Sequence, residues 1–314
     1  MITHQAFRLG GSIPALVTPF MPGDSAVLDL VALARLAERA VARGSTALVL
    51  CGSTGEAPML APEEHARVLR CGVEAAGGRA PVIAGVGAPC TEAAAALAAA
   101  AERCGAAAVL CSAPPYVRPS QEGLRAHVRA VAASCGVPVI LYDVPARAAV
   151  AFADATIARL RYDGAIHALK DASGDLARPN RLAALCGTDL SQLSGEDATA
   201  AAHLAMGGVG CISVTANAVP ALCAALHAAW AARDVTRFTE LRTRLAPLHA
   251  ALLLESNPVP LKAALGLLRL CDATPRLPLL RAAEQTREAL AQILGDIGPL
   301  EEAQARQPIR RLAA

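Results

Sequence analysis

Lys170 is the residue from which a chemical reading of this chain starts. Among 314 residues the chain carries 29 Lys+Arg, yet only Lys170 and Lys262 are lysines. Lys170 closes the apolar run "AIHALK" (165–170), where burying an ammonium costs free energy. Two uses fit such a position. The head can reach solvent at a strand end, or it can be a desolvated amine that attacks a ketone or aldehyde to give a Schiff base. Iminium and enamine formation need a proton shuttle, which tyrosines and small hydroxyls can provide. A 2-oxo acid also needs its carboxylate held, a task suited to helix-start amides and hydroxyls. The chain has three tyrosines, and two of them, Tyr116 and Tyr142, follow apolar runs as Lys170 does. "GSTGE" (52–56) offers Ser53 and Thr54, and Arg147 in "YDVPAR" (142–147) could grip a second carboxylate with paired donors. Tyr162 reads as packing. His167, three residues before Lys170, points to the other face of a strand and reads as structural.

Bringing these residues together requires a scaffold, and the chain has the rhythm of one. Short β-prone runs recur as "SIPALVTPF", "TALVLCG", "PVIAGVG", "AAAVLCSA", "VPVILYDV", "GAIHALKD", "DLSQLSG" and "VGCISVTA". Amphipathic helical stretches such as "LDLVALARLAERAVARG" and "PEEHARVLRCGVEAAG" lie between them. Eight strand–helix units predict an α/β fold, a closed (β/α)8 TIM barrel, with the chemistry gathered at the C-terminal ends of the strands. An open doubly wound sheet is disfavoured by the count and by the lack of "GxGxxG" after the first strand. The expected layout is a barrel over residues 10–225, a C-terminal helical region over 226–300, and a frayed tail over 301–314.

Composition narrows the partners. A net charge of +2 supplies no basic field for nucleic acid or an anionic membrane. No stretch is long and apolar enough for a span, and the N-terminus does not read as a signal peptide, so a cytoplasmic protein is expected. The ten cysteines include no CxxC pair and read as small buried hydrophobes in a reducing compartment. No metal-ligand spacing and no nucleotide-cofactor loop is visible.

Seven motifs, "GSTGE", "PYVRPSQEGL" (115–124), "YDVPAR", "LKDASGD" (169–175), "SGED" (194–197), "GCISVTAN" (210–217) and "ESNPVPLKAAL" (255–265), together resemble the dihydrodipicolinate synthase / N-acetylneuraminate lyase family of pyruvate-dependent class I aldolases, and within it the synthase branch. The resemblance runs from about residue 10 to about residue 270. It implies a homotetramer, a dimer of dimers, that condenses pyruvate with aspartate semialdehyde on the route to diaminopimelate and lysine, with no cofactor beyond the covalent Schiff base. Carried over by position, Lys170 would form that Schiff base and Tyr142 would transfer protons beside it. Ser53 would link Tyr142 to Tyr116, the latter reaching in from a neighbouring subunit. Thr54 would help bind pyruvate's carboxylate, Arg147 would bind the semialdehyde's carboxylate, and Gly195 and Ile212 would line the pocket through backbone groups.

The sequence departs from that pattern in places. Ser53 stands where the family often has threonine, which keeps the hydroxyl. The family's "YNVP[GS]RT" is here "YDVPARA", so Asp143 adds a negative charge near a site for an anionic aldehyde. The alternative is a related lyase acting on N-acetylneuraminate or a 2-keto-3-deoxy sugar acid, and a catalytically silent barrel is a third reading. Lysine-sensitive members of the family carry polar side chains around an inhibitor cleft where this chain has Pro62, Pro89, Ala93 and Pro115, so weak or absent inhibition by lysine is expected.

Overall fold

The computed structural model describes residues 9–307. Eight short parallel strands form one sheet: β1 (Gly11–Pro14), β4 (Leu48–Leu50), β5 (Val82–Gly85), β6 (Ala108–Ser112), β7 (Val139–Asp143), β8 (Ala168–Asp171), β9 (Ser191–Ser194) and β10 (Gly210–Ser213). Their spatial order is β1-β10-β9-β8-β7-β6-β5-β4. The ring closes where Ala15 bridges Val49 in parallel and the Leu16 N–H donates to the Val49 carbonyl at 2.9 Å. Between β1 and β4 lies an antiparallel ribbon, β2 (Phe20–Met21) with β3 (Asp24–Leu28). The sequence reading had no signal for this ribbon, because β2 is two residues long and most of β3 is exposed.

Strand alternation sorts the side chains into two cores. Ile13, Val49, Ile83, Leu110, Ile140, Ala168, Leu193 and Ile212 fill the barrel lumen. The intervening Leu48, Leu50, Val82, Val109, Leu141 and Leu169 face outward and pack against the helices. Those helices are α1 (Leu30–Ala42), α2 (Pro62–Ala76), α3 (Thr91–Arg103), α4 (Gln121–Ala133), α6 (Asp154–Tyr162), α7 (Arg178–Cys186) and α8 (Asp197–Ala205), with one short turn, α5 (Pro145–Ala148), after β7. The buried face of α3 is wholly alanine (Ala94, Ala98 and Ala101), which lets that helix approach the sheet closely. Asp29 caps α1 by accepting the Ala32 N–H, and Ser120 caps α4 by accepting the Gly123 N–H. Of the ten cysteines, which are all unpaired, five are buried, four are half-buried and Cys90 is exposed. No described helix is long and apolar enough to cross a membrane.

The C-terminal region is helical as expected, with α9 (Pro220–Ala231), α10 (Val235–Ala251), α11 (Val259–Leu267) and α12 (Glu284–Ala305) around a second apolar cluster. Two boundaries shift. The division expected at 225/226 falls inside α9, a helix that also packs on β1. The frayed tail expected over 301–314 does not start at 301, because α12 continues to Ala305 and its Glu301 is buried; residues 308–314 lie outside the described residues. Glu301 accepts the Ala221 and Leu222 N–H groups at the start of α9, at 3.0 and 2.9 Å, and pairs with Arg43 of α1 at 2.9 Å. One carboxylate thus satisfies the free amides of one helix and ties α12 to the barrel wall. Glu301→Ala leaves those amides unsatisfied and Arg43 with Glu302 as its remaining partner, so its unfolding in urea is expected to show a loss of about 2 kcal/mol.

Candidate active site

The register of β7 on β8 sets Tyr142 directly opposite Lys170. Both side chains enter the lumen, where Tyr142 belongs to the apolar cluster with Ile140, Leu193 and Ile212. Lys170 is 5% exposed and Tyr142 8%. The Lys170 amine lies 4.1 Å from the centre of the Tyr142 ring, so the head packs on the aromatic face. The amine therefore does not reach bulk solvent at the strand end. It sits in the top layer of a packed barrel, beside a phenol.

The loop after β4 carries Ser53 and Thr54. Thr54 is buried, and its Oγ1 accepts a hydrogen bond from Asn257 Nδ2 at 2.9 Å. With that acceptor site used, the single Thr54 hydroxyl proton remains to be donated to another partner. Asn257 has a second link: its backbone carbonyl accepts from Arg147 Nη2 at 3.0 Å. Arg147 is exposed on α5, directly after β7. One asparagine thereby joins the residue assigned to one carboxylate with the residue assigned to the other. The sequence reading did not single out Asn257. It lies in "ESNPVPLKAAL", after the barrel strands, where no strand-end pattern marks it.

Asp143 points away from the lumen. It alternates with Tyr142, is fully buried, and pairs with Arg178 Nη1 at 2.6 Å while accepting the Phe152 N–H at 3.3 Å. Arg178 also contacts Asp171 at 3.4 Å and Asp154 at 2.8 Å. Burial pushes the Asp143 carboxyl above the usual range, against the pull of the Arg178 guanidinium. The extra carboxylate is thus spent on packing β7 to α7, and it adds no charge to the pocket side. Gly195, after β9, donates its N–H to the Asp171 carbonyl at 2.6 Å. A Cβ there would lie 3.2 Å from Lys170 Cε and 2.8 Å from the Ala172 methyl. Ile212, fully buried, lies opposite Ile13 across the β10–β1 pairing.

The model of the Dihydrodipicolinate synthetase family matches residues 8–297. The chain belongs to that family. A curated relative, the 4-hydroxy-tetrahydrodipicolinate synthase of Rhodospirillum centenum, is 45% identical over 290 residues, covering 92% of this chain and 99% of the relative. Among solved structures, the dihydrodipicolinate synthase of Acinetobacter baumannii complexed with pyruvate aligns at TM-score 0.89 and 39% identity, over 93% of this chain and 99% of that one. The corresponding enzyme of Cyanidioschyzon merolae with lysine bound aligns at TM-score 0.87 and 31% identity, over 92% and 98%.

Two tyrosines sit differently from the rest of the site. Tyr116, beyond β6, is 93% exposed with φ of +74°. At that exposure it is not packed against the buried Tyr142 within one chain. Tyr162, expected as packing, is 84% exposed, with the Arg159 guanidinium 5.6 Å from its ring centre. Ser53 is half-buried on the Thr54 loop. Gly195 leaves little room beside the Lys170 stem. Gly195→Ala is expected to push the Lys170 stem aside and lower the rate of borohydride trapping by pyruvate about 100-fold, with the circular-dichroism spectrum unchanged.

Proposed function

We propose that this chain condenses pyruvate, held as a Schiff base on Lys170, with L-aspartate 4-semialdehyde, the activity of 4-hydroxy-tetrahydrodipicolinate synthases in lysine and diaminopimelate biosynthesis. The observation that carries the reading is the buried Lys170 amine against the Tyr142 ring, 4.1 Å from its centre, in a chain of this family. The chain's curated relatives support the synthase over the sugar-acid lyase.

The neutral Lys170 amine adds to the pyruvate ketone carbon, and loss of one water gives the iminium. A proton then leaves the methyl carbon, giving an enamine whose carbon attacks the aldehyde and forms the new carbon–carbon bond. The amino group of the semialdehyde next displaces Lys170, closing a ring and freeing the lysine. Tyr142 is assigned the proton transfers, because its phenol is the titratable group beside the amine. Ser53 would pass protons between Tyr142 and Tyr116. The Thr54 hydroxyl would donate to pyruvate's carboxylate, with backbone groups at Gly195 and Ile212 lining the opposite wall. Arg147, exposed on α5, would hold the semialdehyde's carboxylate. The iminium serves as the electron sink, so no step calls on a separate cofactor.

The exposure of Tyr116 supports an assembly in which a second copy receives this side chain, and a homotetramer built as a dimer of dimers is the proposed form. Turnover of pyruvate with freshly prepared aspartate semialdehyde, coupled to a downstream reductase, tests the reading. Arg147→Ala is expected to raise KM for the semialdehyde and reduce kcat/KM about 100-fold. No turnover by a preparation whose Lys170 still traps pyruvate would refute the choice of aldehyde.

The lysine expectation keeps its structural basis. Pro62, Pro89 and Pro115 are exposed and Ala93 is half-buried, and none has a side-chain donor or acceptor for an amino acid's charged groups. Steady-state rates should be insensitive to micromolar lysine, and inhibition in that range would overturn the expectation.

A further inference from the structure

The chain's second lysine is as deeply buried as its first. Lys262, on α11, is 0% exposed, and its amine lies 2.5 Å from Oε1 of Glu56, likewise 0% exposed. The amine also donates to the Thr274 carbonyl at 3.1 Å and lies 4.0 Å from the centre of the Phe20 ring. The other Glu56 oxygen accepts the Arg276 N–H at 2.8 Å. Burial lowers the Lys262 pKa and Glu56 opposes that fall. Stability alone gives a poor reason for such a pair, because replacing a buried ion pair with apolar side chains is often neutral or favourable. Its location supplies a better one.

Glu56 ends "GSTGE", with Thr54 two residues before it. The backbone there is taut: Glu56 has φ of +56° and Cys51, at the other end of the turn, +53°. Gly55 is boxed in, since a Cβ would meet the Cys51 nitrogen at 3.1 Å and the Leu16 carbonyl oxygen at 3.2 Å. A left-handed glutamate persists only when its surroundings hold it. Three outside groups do so along consecutive residues. Asn257 Nδ2 donates to the Thr54 hydroxyl, Thr18 donates to the Gly55 carbonyl at 2.6 Å, and Lys262 pairs with Glu56. Asn257 and Lys262 belong to one stretch of chain, and the Lys262 N–H donates to the carbonyl of Pro258, next to Asn257. The helical region beyond the barrel therefore holds the loop at two points through α11 and the residues leading into it.

We propose that the buried Lys262–Glu56 pair is a positioning device for the carboxylate end of the pyruvate site, fixing the Thr54 hydroxyl through the loop it locks to α11. The proposal rests on the assignment of Thr54 to that carboxylate. Neither Lys262 nor Glu56 touches substrate; each acts through Thr54.

The test follows borohydride trapping on Lys170 at varied concentrations of pyruvate and of pyruvamide, its neutral analogue, so that no second substrate is needed. Wild-type protein that traps no pyruvate would sink the functional reading itself. With wild type trapping, Glu56→Gln is expected to raise half-saturation for pyruvate about ten-fold and to leave that for pyruvamide within about two-fold. Glu56→Asp should restore part of the pyruvate preference. Unchanged half-saturation for both compounds would overturn the proposal, and so would an equal rise for both, which marks general loosening. Should Glu56→Gln fail to fold, the double variant Glu56→Gln/Lys262→Met, which leaves no unpaired buried charge, is read by the same two curves with the same expectations.

Discussion

An amine at the top of a packed barrel must be kept out of bulk water and yet be supported from the side, and this requirement organises the barrel around Lys170. The lumen below it is closed by aliphatic side chains from all eight strands, which exclude water from beneath. Beside it, one strand pairing supplies the phenol ring. A slip of one residue between β7 and β8 would turn either Tyr142 or Lys170 to the helix side. The register is held from behind by Arg178, which reaches Asp143 and Asp171 on the two neighbouring strands.

The division of labour between inside and outside follows from the same alternation. Residues that bear on chemistry occupy inward positions or the loops directly beyond them. Residues one step along each strand are given to helix packing or to ion pairs. Asp143 shows why a charge close in sequence to a lumen residue need not be close in effect. Its carboxylate and the Tyr142 phenol leave the same strand on opposite sides.

Much of this was legible in the sequence. The eight strands could be read because each is a short apolar run followed by an amphipathic helix, and Lys170, Tyr142, Thr54 and Arg147 could be read because each falls at or just past a strand end. The orientation of Asp143 was not read from the sequence, where it counted as a charge near the site; one step along the strand from an inward Tyr142 turns it to the helix side. Other features were not legible. The β2–β3 ribbon is too short and too exposed to carry a pattern. Asn257 reaches Thr54 from 203 residues away, a closeness that no local signal encodes. Tyr162 has an aromatic side chain that suggests burial, but α6 presents it outward on a helix with only Ile157 and Leu160 buried. Glu301 looked like part of a solvated end because a carboxylate near a terminus usually is; its partners come from α1 and α9.

The burial of both lysines gives the molecule an unusual outer chemistry. Every other cation in the 29 Lys+Arg is a guanidinium, and both ε-amines lie inside the described fold at 5% exposure or less. Acylating agents such as reactive thioesters, sugars that glycate amines, and amine-directed crosslinkers therefore find no lysine on the surface. A carbonyl or acyl compound that marks Lys170 in the folded protein has had to enter the barrel mouth, whereas Lys262 is closed off by Glu56 and the Phe20 ring. Adduct formation on Lys170 is for that reason a report on entry to the site, free of the background that surface lysines give in most proteins.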